Sequence, residues 1–300
     1  MFPVAIFIGG PTASHKTEIA FNLQSHFPSF IVNSDSMQVY DQLEILTNRP
    51  IKKLREKYDC NLFSYTKYPD MCNVGSWQKK ALSTVRKKKN KIPIFVGGTG
   101  LYMDSIINNI SKIPKVSTAA KRRVDYMFKK FGINYLSKEL KKIDEEYSKK
   151  LSPNDTQRII RALEVNLSTK TSLSEWHKME KNRIFKKVIY VVVKTEREKL
   201  YSRINQRCDA MINLGVLEEV KSFLEVKQKL EHPIHKSIGL RQLTRHIKGI
   251  NSLEETMTEF MQETRRYAKR QLTWFNNKAK KAVHLEGLKI KDYVLRELKL

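Results

Sequence analysis

The sequence predicts an α/β protein: a parallel sheet core, an inserted all-helical domain and a helical C-terminal part. Three observations predict it. Short, uninterrupted apolar runs recur at Val4–Ile8, Phe30–Val32, residues 92–96 ("IPIFV") and Lys186–Lys194 ("KKVIYVVVK"); strands buried on both faces of a parallel sheet read this way. Helical patterns at Thr17–Phe27 and Trp77–Lys89 separate the early runs, the alternation that crossover helices require. From Lys112 to Glu180 helical stretches continue without a strand, punctuated by Pro114 and Pro153. A helical block between strands of one sheet is a domain that leaves and rejoins the core. The expected division is 1–112 for the first part of the core, 113–185 for the helical insertion and 186–300 for the remaining core with its C-terminal helices.

The first run leads into "GGPTASHKT". A phosphate-binding loop reads G-x-x-x-x-G-K-[ST] between a strand and a helix. Gly10, Lys16 and Thr17 stand at those offsets, Pro11, Thr12, Ala13 and Ser14 lie between, and His15 replaces the second glycine. The loop N–H groups and the following helix N-terminus favour an anion. Lys16 neutralises phosphate charge, and the Thr17 hydroxyl is a ligand for Mg²⁺. His15 either crowds the phosphate or takes an unfavourable backbone angle.

The second run opens "NSDSMQVYD". Ligands of open parallel sheets gather at the C-terminal strand ends, so Asp35 is a candidate carboxylate with Ser34, Ser36 and Gln38 as polar neighbours. Its competing role is a turn or helix cap. Residues 51–73 have no regular pattern. The third run ends in "VGGTGLY", where Gly97 and Gly98 permit a tight turn and Thr99 either caps the next helix or offers its hydroxyl to the cleft.

Within the insertion, "SPNDTQRIIRALE" places a helix start at Ser152-Pro153. Gln157, Arg158 and Arg161 share a face, solvated or gripping nucleic acid, while Ile159, Ile160 and Leu163 pack. In "SRINQRCDAM", Leu200, Ile204, Cys208 and Met211 form an apolar stripe, and Arg203 and Arg207 lie together on another face. That arginine pair is either a diphosphate clamp or a surface pair. In Ser252–Lys278, Leu253, Met257, Phe260, Met261, Tyr267, Trp274 and Phe275 fall on one arc, opposite Arg265, Arg266, Lys269 and Arg270. Four cations so close favour a nucleic-acid role. "KAVHLE" near Ala282 is a further strand candidate.

The net charge of +26 points to a polyanionic partner or to a lysine-rich surface. A hydrophobic share of 40% excludes a disordered chain. Cys60, Cys72 and Cys208 form no CxxC pair, which argues against disulfides and zinc and fits the reducing cytoplasm. The apolar start lacks a basic segment and reads as a strand, and no run approaches the ~18 apolar residues of a membrane span.

In order, "GPTAS-x-KT", "SDSMQVY", "VGGTGLY", "PNDTQRIIRALE", "IGLRQL" and "TRRYAKRQLTWF" resemble the tRNA dimethylallyltransferase (tRNA isopentenyltransferase) family. The resemblance spans nearly the whole chain. It implies a P-loop NTPase-like core and a helical insertion that helps hold the anticodon arm. It also implies transfer of a dimethylallyl group from dimethylallyl diphosphate to N6 of the adenosine 3′ to the anticodon, tRNA position 37. The loop Gly10–Thr17 then binds the donor diphosphate rather than ATP, with Mg²⁺ on Thr17. Asp35 is the general base, assisted by Thr99 and Arg207. Asp35, Ser36, Met37, Gln38, Thr99, Lys121, Gln157, Arg158, Ile159, Ile160, Arg161, Lys236 and Arg241 meet the tRNA, and Arg265, Arg266, Lys269 and Arg270 follow its phosphates. No protein partner is required, so a monomer suffices. His15, Thr156 (where Pro is usual), Leu240 (where Tyr is common), Lys121 (where Arg is frequent) and the stretch 58–77 depart from the family pattern. A small-molecule or nucleotide kinase, an adenylate-directed transferase and a catalytically impaired tRNA-binding relative are the competing readings.

Overall fold

The computed structural model describes residues 1–179, 182–226 and 231–300. The chain forms two compact units, one of residues 1–107 with 183–300 and one of residues 108–182. Glu180, taken above as the end of the helical stretch, lies outside the described residues.

In the first unit the order is β1 (Phe2–Gly9), α1 (Lys16–Leu23), β2 (Ser29–Asn33), α2 (Lys52–Lys57), β3 (Cys60–Asn61), α3 (Val74–Lys87), β4 (Ile92–Gly97) and α4 (Gly100–Ile107). Among the described residues the sheet has six strands. The later ones are β5 (Phe185–Lys194) and β6 (Val283–Glu286), in the order β3-β2-β4-β1-β5-β6, every pair parallel. The period of two sorts the side chains. Phe7, Phe30, Phe95 and Tyr190 face one side, whereas Ile6, Ile8, Ile31, Ile94 and Val191 face the other. Each such side chain gains about 1.5–3 kcal/mol on burial, so the apolar runs are held by both layers. Gly9 pairs with Gly97, and two glycine turns therefore leave the sheet side by side.

The stretch 51–73 is more regular than its pattern suggests. It holds α2 and the two-residue β3, and a strand that short leaves no alternation to detect.

The second unit contains α5 (Thr118–Ile143), α6 (Glu145–Ser148), α7 (Thr156–Thr169) and α8 (Leu173–Lys178). Gly132 breaks α5 with φ of 74°. Val124, Leu136, Leu140, Ile159, Leu163 and Leu173 make this unit's own core. The expected start of α7 at Ser152-Pro153 is corrected. Asp155 N–H donates to Ser152 O at 2.9 Å in a turn, and the Asp155 carboxylate then caps the helix through Arg158 N at 3.4 Å. A carboxylate cap satisfies an orphan amide that proline at the second position of the turn does not reach.

The first unit closes with α9 (Arg197–Asn213), α10 (Val216–Glu225), α11 (Leu240–Ile247), α12 (Leu253–Lys278) and α13 (Gly287–Leu298). The buried stripe of α12 is Thr256, Phe260, Thr264, Ala268, Gln271 and Phe275, not the fully apolar arc expected, and Leu253 is exposed. Small and polar residues occupy the stripe because α12 packs closely on other helices and over the strand ends. A Cβ on Gly9 would meet the Phe275 ring at 2.5 Å, and one on Gly100 would meet Trp274 at 2.0 Å.

Candidate active site

A cleft of about 880 Å³ at the C-terminal strand ends of the first unit is lined by the loop after β1, the turn after β2, the segment 44–54, the turn after β4, and facing residues of α9 and α12, among others. The first loop is bent by left-handed residues. Ala13 has φ of 60° and His15 59°, and Gly10 lies at 151°, with Val193 close to where a Cβ would point. His15 thus takes the unfavourable angle and does not crowd the loop interior. Its side chain is 54% exposed and turns to Glu18 at 3.7 Å. Histidine is among the side chains that enter this backbone region most readily.

Lys16 folds back over its loop, its Nζ donating to Pro11 O at 2.5 Å and lying 3.5 Å from Ser14 Oγ. Loss of hydration lowers its pKa to about 8; the Asp35 charge opposes that fall and the Arg207 charge adds to it. Arg207, from α9, donates to Thr12 Oγ1 at 2.5 Å, and loss of hydration lowers its pKa too. Two cations therefore face the loop at a desolvation cost that an anion would offset.

Asp35 is held from both sides. Its N–H donates to Asn33 Oδ1 at 2.9 Å, and its Oδ1 accepts from Met37 N at 2.9 Å. Asn33 is itself fixed by its Nδ2–H to Leu62 O, and its carbonyl accepts the Trp77 indole N–H. The carboxylate makes the expected turn contact and also lines the cleft with Lys16 and Thr17. Thr99 departs from one expectation. Its hydroxyl accepts from Ser36 N at 3.0 Å and lies 3.2 Å from Ser36 Oγ, tying the turns after β2 and β4 together instead of capping α4. Gln38 also lines the cleft, its amide donating to Thr47 O and Asn48 O. Thr17 lines the same space.

The other candidates are distributed as follows. Lys121, Gln157, Arg158 and Arg161 are exposed in the second unit, where Arg158 pairs with Asp155 at 3.0 Å and Arg161 with Glu164 at 3.8 Å. Ile159 is 1% exposed and packs in that unit's core, which removes it as an RNA contact; Ile160 is half-buried. Lys236 and Arg241 are exposed in the first unit. The basic stripe of α12 is narrower than expected. Arg265 turns inward to Asn205 Oδ1 at 2.7 Å and over the Tyr201 ring. Arg266 and Arg270 share Glu263 at 3.7 and 2.9 Å, and Lys269 is exposed. Their mutual repulsion is thereby relieved within the chain.

The IPP transferase family profile matches residues 38–278. The chain belongs to that family. Among its IPP transferase relatives is the tRNA dimethylallyltransferase of Pelagibacter ubique (strain HTCC1062), 36% identical over 292 residues, covering 96% of this chain and 93% of the relative. The tRNA delta(2)-isopentenylpyrophosphate transferase of Staphylococcus epidermidis superposes with a TM-score of 0.69 at 30% identity, covering 99% of both chains. The full-length tRNA isopentenylpyrophosphate transferase of Bacillus halodurans superposes with a TM-score of 0.72 at 25% identity, covering 100% of this chain and 97% of that one. The fold is accordingly the P-loop-like α/β fold of the IPP transferases.

Sequence reasoning missed Gln271 in the lining of this IPP transferase cleft and the enclosure of Tyr267 beside it. Tyr267 on α12 is enclosed by its surroundings, and burial followed by the Asp35 charge holds its hydroxyl protonated. Gln271 accepts from Thr12 N at 2.8 Å and donates to Gly98 O at 3.1 Å. The available signal was a glutamine on the buried stripe of an amphipathic helix, where an unpartnered amide is costly.

Proposed function

We propose that this IPP transferase moves a dimethylallyl group from dimethylallyl diphosphate to N6 of adenosine 37 in tRNA. One observation carries the reading: a carboxylate, Asp35, lines the same strand-end cleft as a phosphate-type loop crowned by Lys16 and Arg207. An exocyclic aromatic amine is a weak nucleophile. Asp35 accepts a hydrogen bond from N6–H and takes that proton as the N6 lone pair attacks C1 of the donor. The C1–O bond breaks and its electron pair leaves with pyrophosphate, whose charge the loop N–H groups, Lys16 and Arg207 stabilise. Thr99 holds Ser36 and so keeps the Asp35 turn in register with the β4 turn.

The Thr17 hydroxyl, at the first turn of α1 beside Lys16, fits Mg²⁺, which keeps few protein ligands and takes the rest from phosphate oxygens and water. When bound, Mg²⁺ neutralises charge on the diphosphate. The adenine must leave its stack to enter the cleft. Ser36, Met37 and Gln38 flank its path, while Lys121, Gln157, Arg158, Arg161, Lys236, Arg241, Arg266, Lys269 and Arg270 supply backbone contacts to the anticodon arm. The helical insertion, expected at 113–185 and folded as the unit of residues 108–182, is the tRNA-holding part in this reading, and one chain acts as a monomer in the cytoplasm.

The test is incubation with labelled dimethylallyl diphosphate and an anticodon stem-loop, with parallel reactions supplied with ATP. Prenylated adenine is the expected product. Phosphate transfer from ATP, with the prenyl donor ignored, would replace the reading by a kinase. Asp35→Ala should abolish product and leave stem-loop affinity within about threefold; loss of that affinity instead would remove Asp35 as the base.

A further inference from the structure

We infer that Gln271 is a positioning residue that registers the diphosphate loop against the Asp35 side of the cleft. The inference rests on the transferase reading above. Gln271 is 6% exposed, and its amide joins two loops that are remote from it in sequence. Its Oε1 accepts the Thr12 amide proton at 2.8 Å, and its Nε2 donates to Gly98 O at 3.1 Å. Thr12 is also gripped through its hydroxyl by Arg207 of α9. A single loop residue is thus held by side chains from two distant helices.

Two consequences follow. First, the Thr12 N–H is committed to Gln271, so this amide is withheld from the phosphate and the cradle starts further along the loop. Second, the Gly98 carbonyl is fixed where a Cβ on Gly98 would lie 2.0 Å from Gln271 Nε2 and 3.6 Å from Asp35 Oδ2. The clamp therefore sets the spacing between the leaving-group cradle and the carboxylate that receives the amine proton. The flanking packing of Phe275 on Gly9 and Trp274 on Gly100 holds the helix that delivers it. The task needs an acceptor and a donor on one planar group at this reach. Ionised glutamate lacks the donor, methionine lacks the donor and offers only a weak acceptor, and asparagine is one methylene short.

The experiment is single-turnover transfer, with saturating donor and stem-loop, by Gln271→Glu and Gln271→Met beside the unaltered protein. Amplitude reports the folded, competent fraction, and the rate constant reports geometry. A misplacement near 1 Å costs about 10²-fold in rate. The expected result is that fall in rate constant at full amplitude, with inorganic pyrophosphate and stem-loop affinities changed less than about threefold. The Gln271→Glu rate, taken relative to the unaltered protein, should recover as pH falls, because a protonated carboxyl can donate to Gly98 O. Unchanged rate constants would overturn the inference, as would a loss confined to amplitude or one accounted for by weaker pyrophosphate binding. If the unaltered protein transfers nothing, the transferase reading falls and this inference with it. If it transfers and the variants match it, the clamp alone is wrong.

Discussion

The turn after β1 and the turn after β4 leave the sheet level with each other, at Gly9 and Gly97, yet one accepts side chains where the other has no room. In the first, Ala13 and His15 take left-handed angles that glycine would adopt freely. Their cost is torsional, about 1–2 kcal/mol at a residue, and the His15 ring points outward to Glu18. In the second turn the constraint is occupied space. A Cβ on Gly97 would stand 2.2 Å from the Ser34 carbonyl carbon and oxygen. Torsion can be overcome locally, whereas overlap with a neighbouring backbone cannot. That difference explains how the loop folds with histidine where the pattern has glycine.

Gly97→Ala should break the comparison hardest. The backbone of the Asp35 turn would have to move, for a loss of about 3 kcal/mol or more and roughly 6 °C or more in melting temperature. An unchanged thermal melt would mean that the β4 turn yields as easily as the β1 loop.

Gly98→Ala separates contact with a side chain from contact with backbone. The added methyl meets the side-chain amide of Gln271 and not a backbone, so the fold should persist with a melting temperature lowered by no more than about 4 °C. The single-turnover rate should fall as in the Gln271 variants; a rate equal to the unaltered protein's would detach this glycine from the clamp.

Lys16 tests the first loop's electrostatics. Its pKa in the free protein is lowered to about 8 by loss of hydration, and a bound diphosphate raises it. Pyrophosphate affinity should therefore be full below pH 8 and decline as pH rises through that value towards the pKa of the complex, approaching about tenfold per pH unit. Titration calorimetry on Lys16→Met should give weaker binding without that decline. The same decline in the variant would assign it to another group.

His15→Gly should have the smallest effect. Relief of the left-handed angle is offset by glycine's greater freedom in the unfolded chain, leaving a net change within about 1 kcal/mol. Pyrophosphate should bind at least as tightly as before. Clear weakening would make the imidazole itself a phosphate contact.

The strands, the loop Gly10–Thr17 and Asp35 at a strand end were legible because each rests on local pattern: an apolar run, a spacing, a strand followed by a turn. Thr99 was legible as a residue of the turn after β4 but not as the partner of Ser36, since that contact joins turns from separate strands. Arg265 appeared to belong to a basic stripe until Asn205 and Tyr201 on another helix drew it inward. Ile159 carried the motif's spacing, yet the core of the helical unit took its side chain.

By itself, then, the sequence determined the parallel α/β plan, the interruption by a helical block and the strand-loop-helix placement of Gly10–Thr17, because these follow from periodicity and near-neighbour spacing. Tertiary structure alone decided which glycines are irreplaceable, which cations stay free and how the two turns are held in register. Those depend on side chains that arrive from far along the chain, as Gln271 does at Thr12 and Gly98.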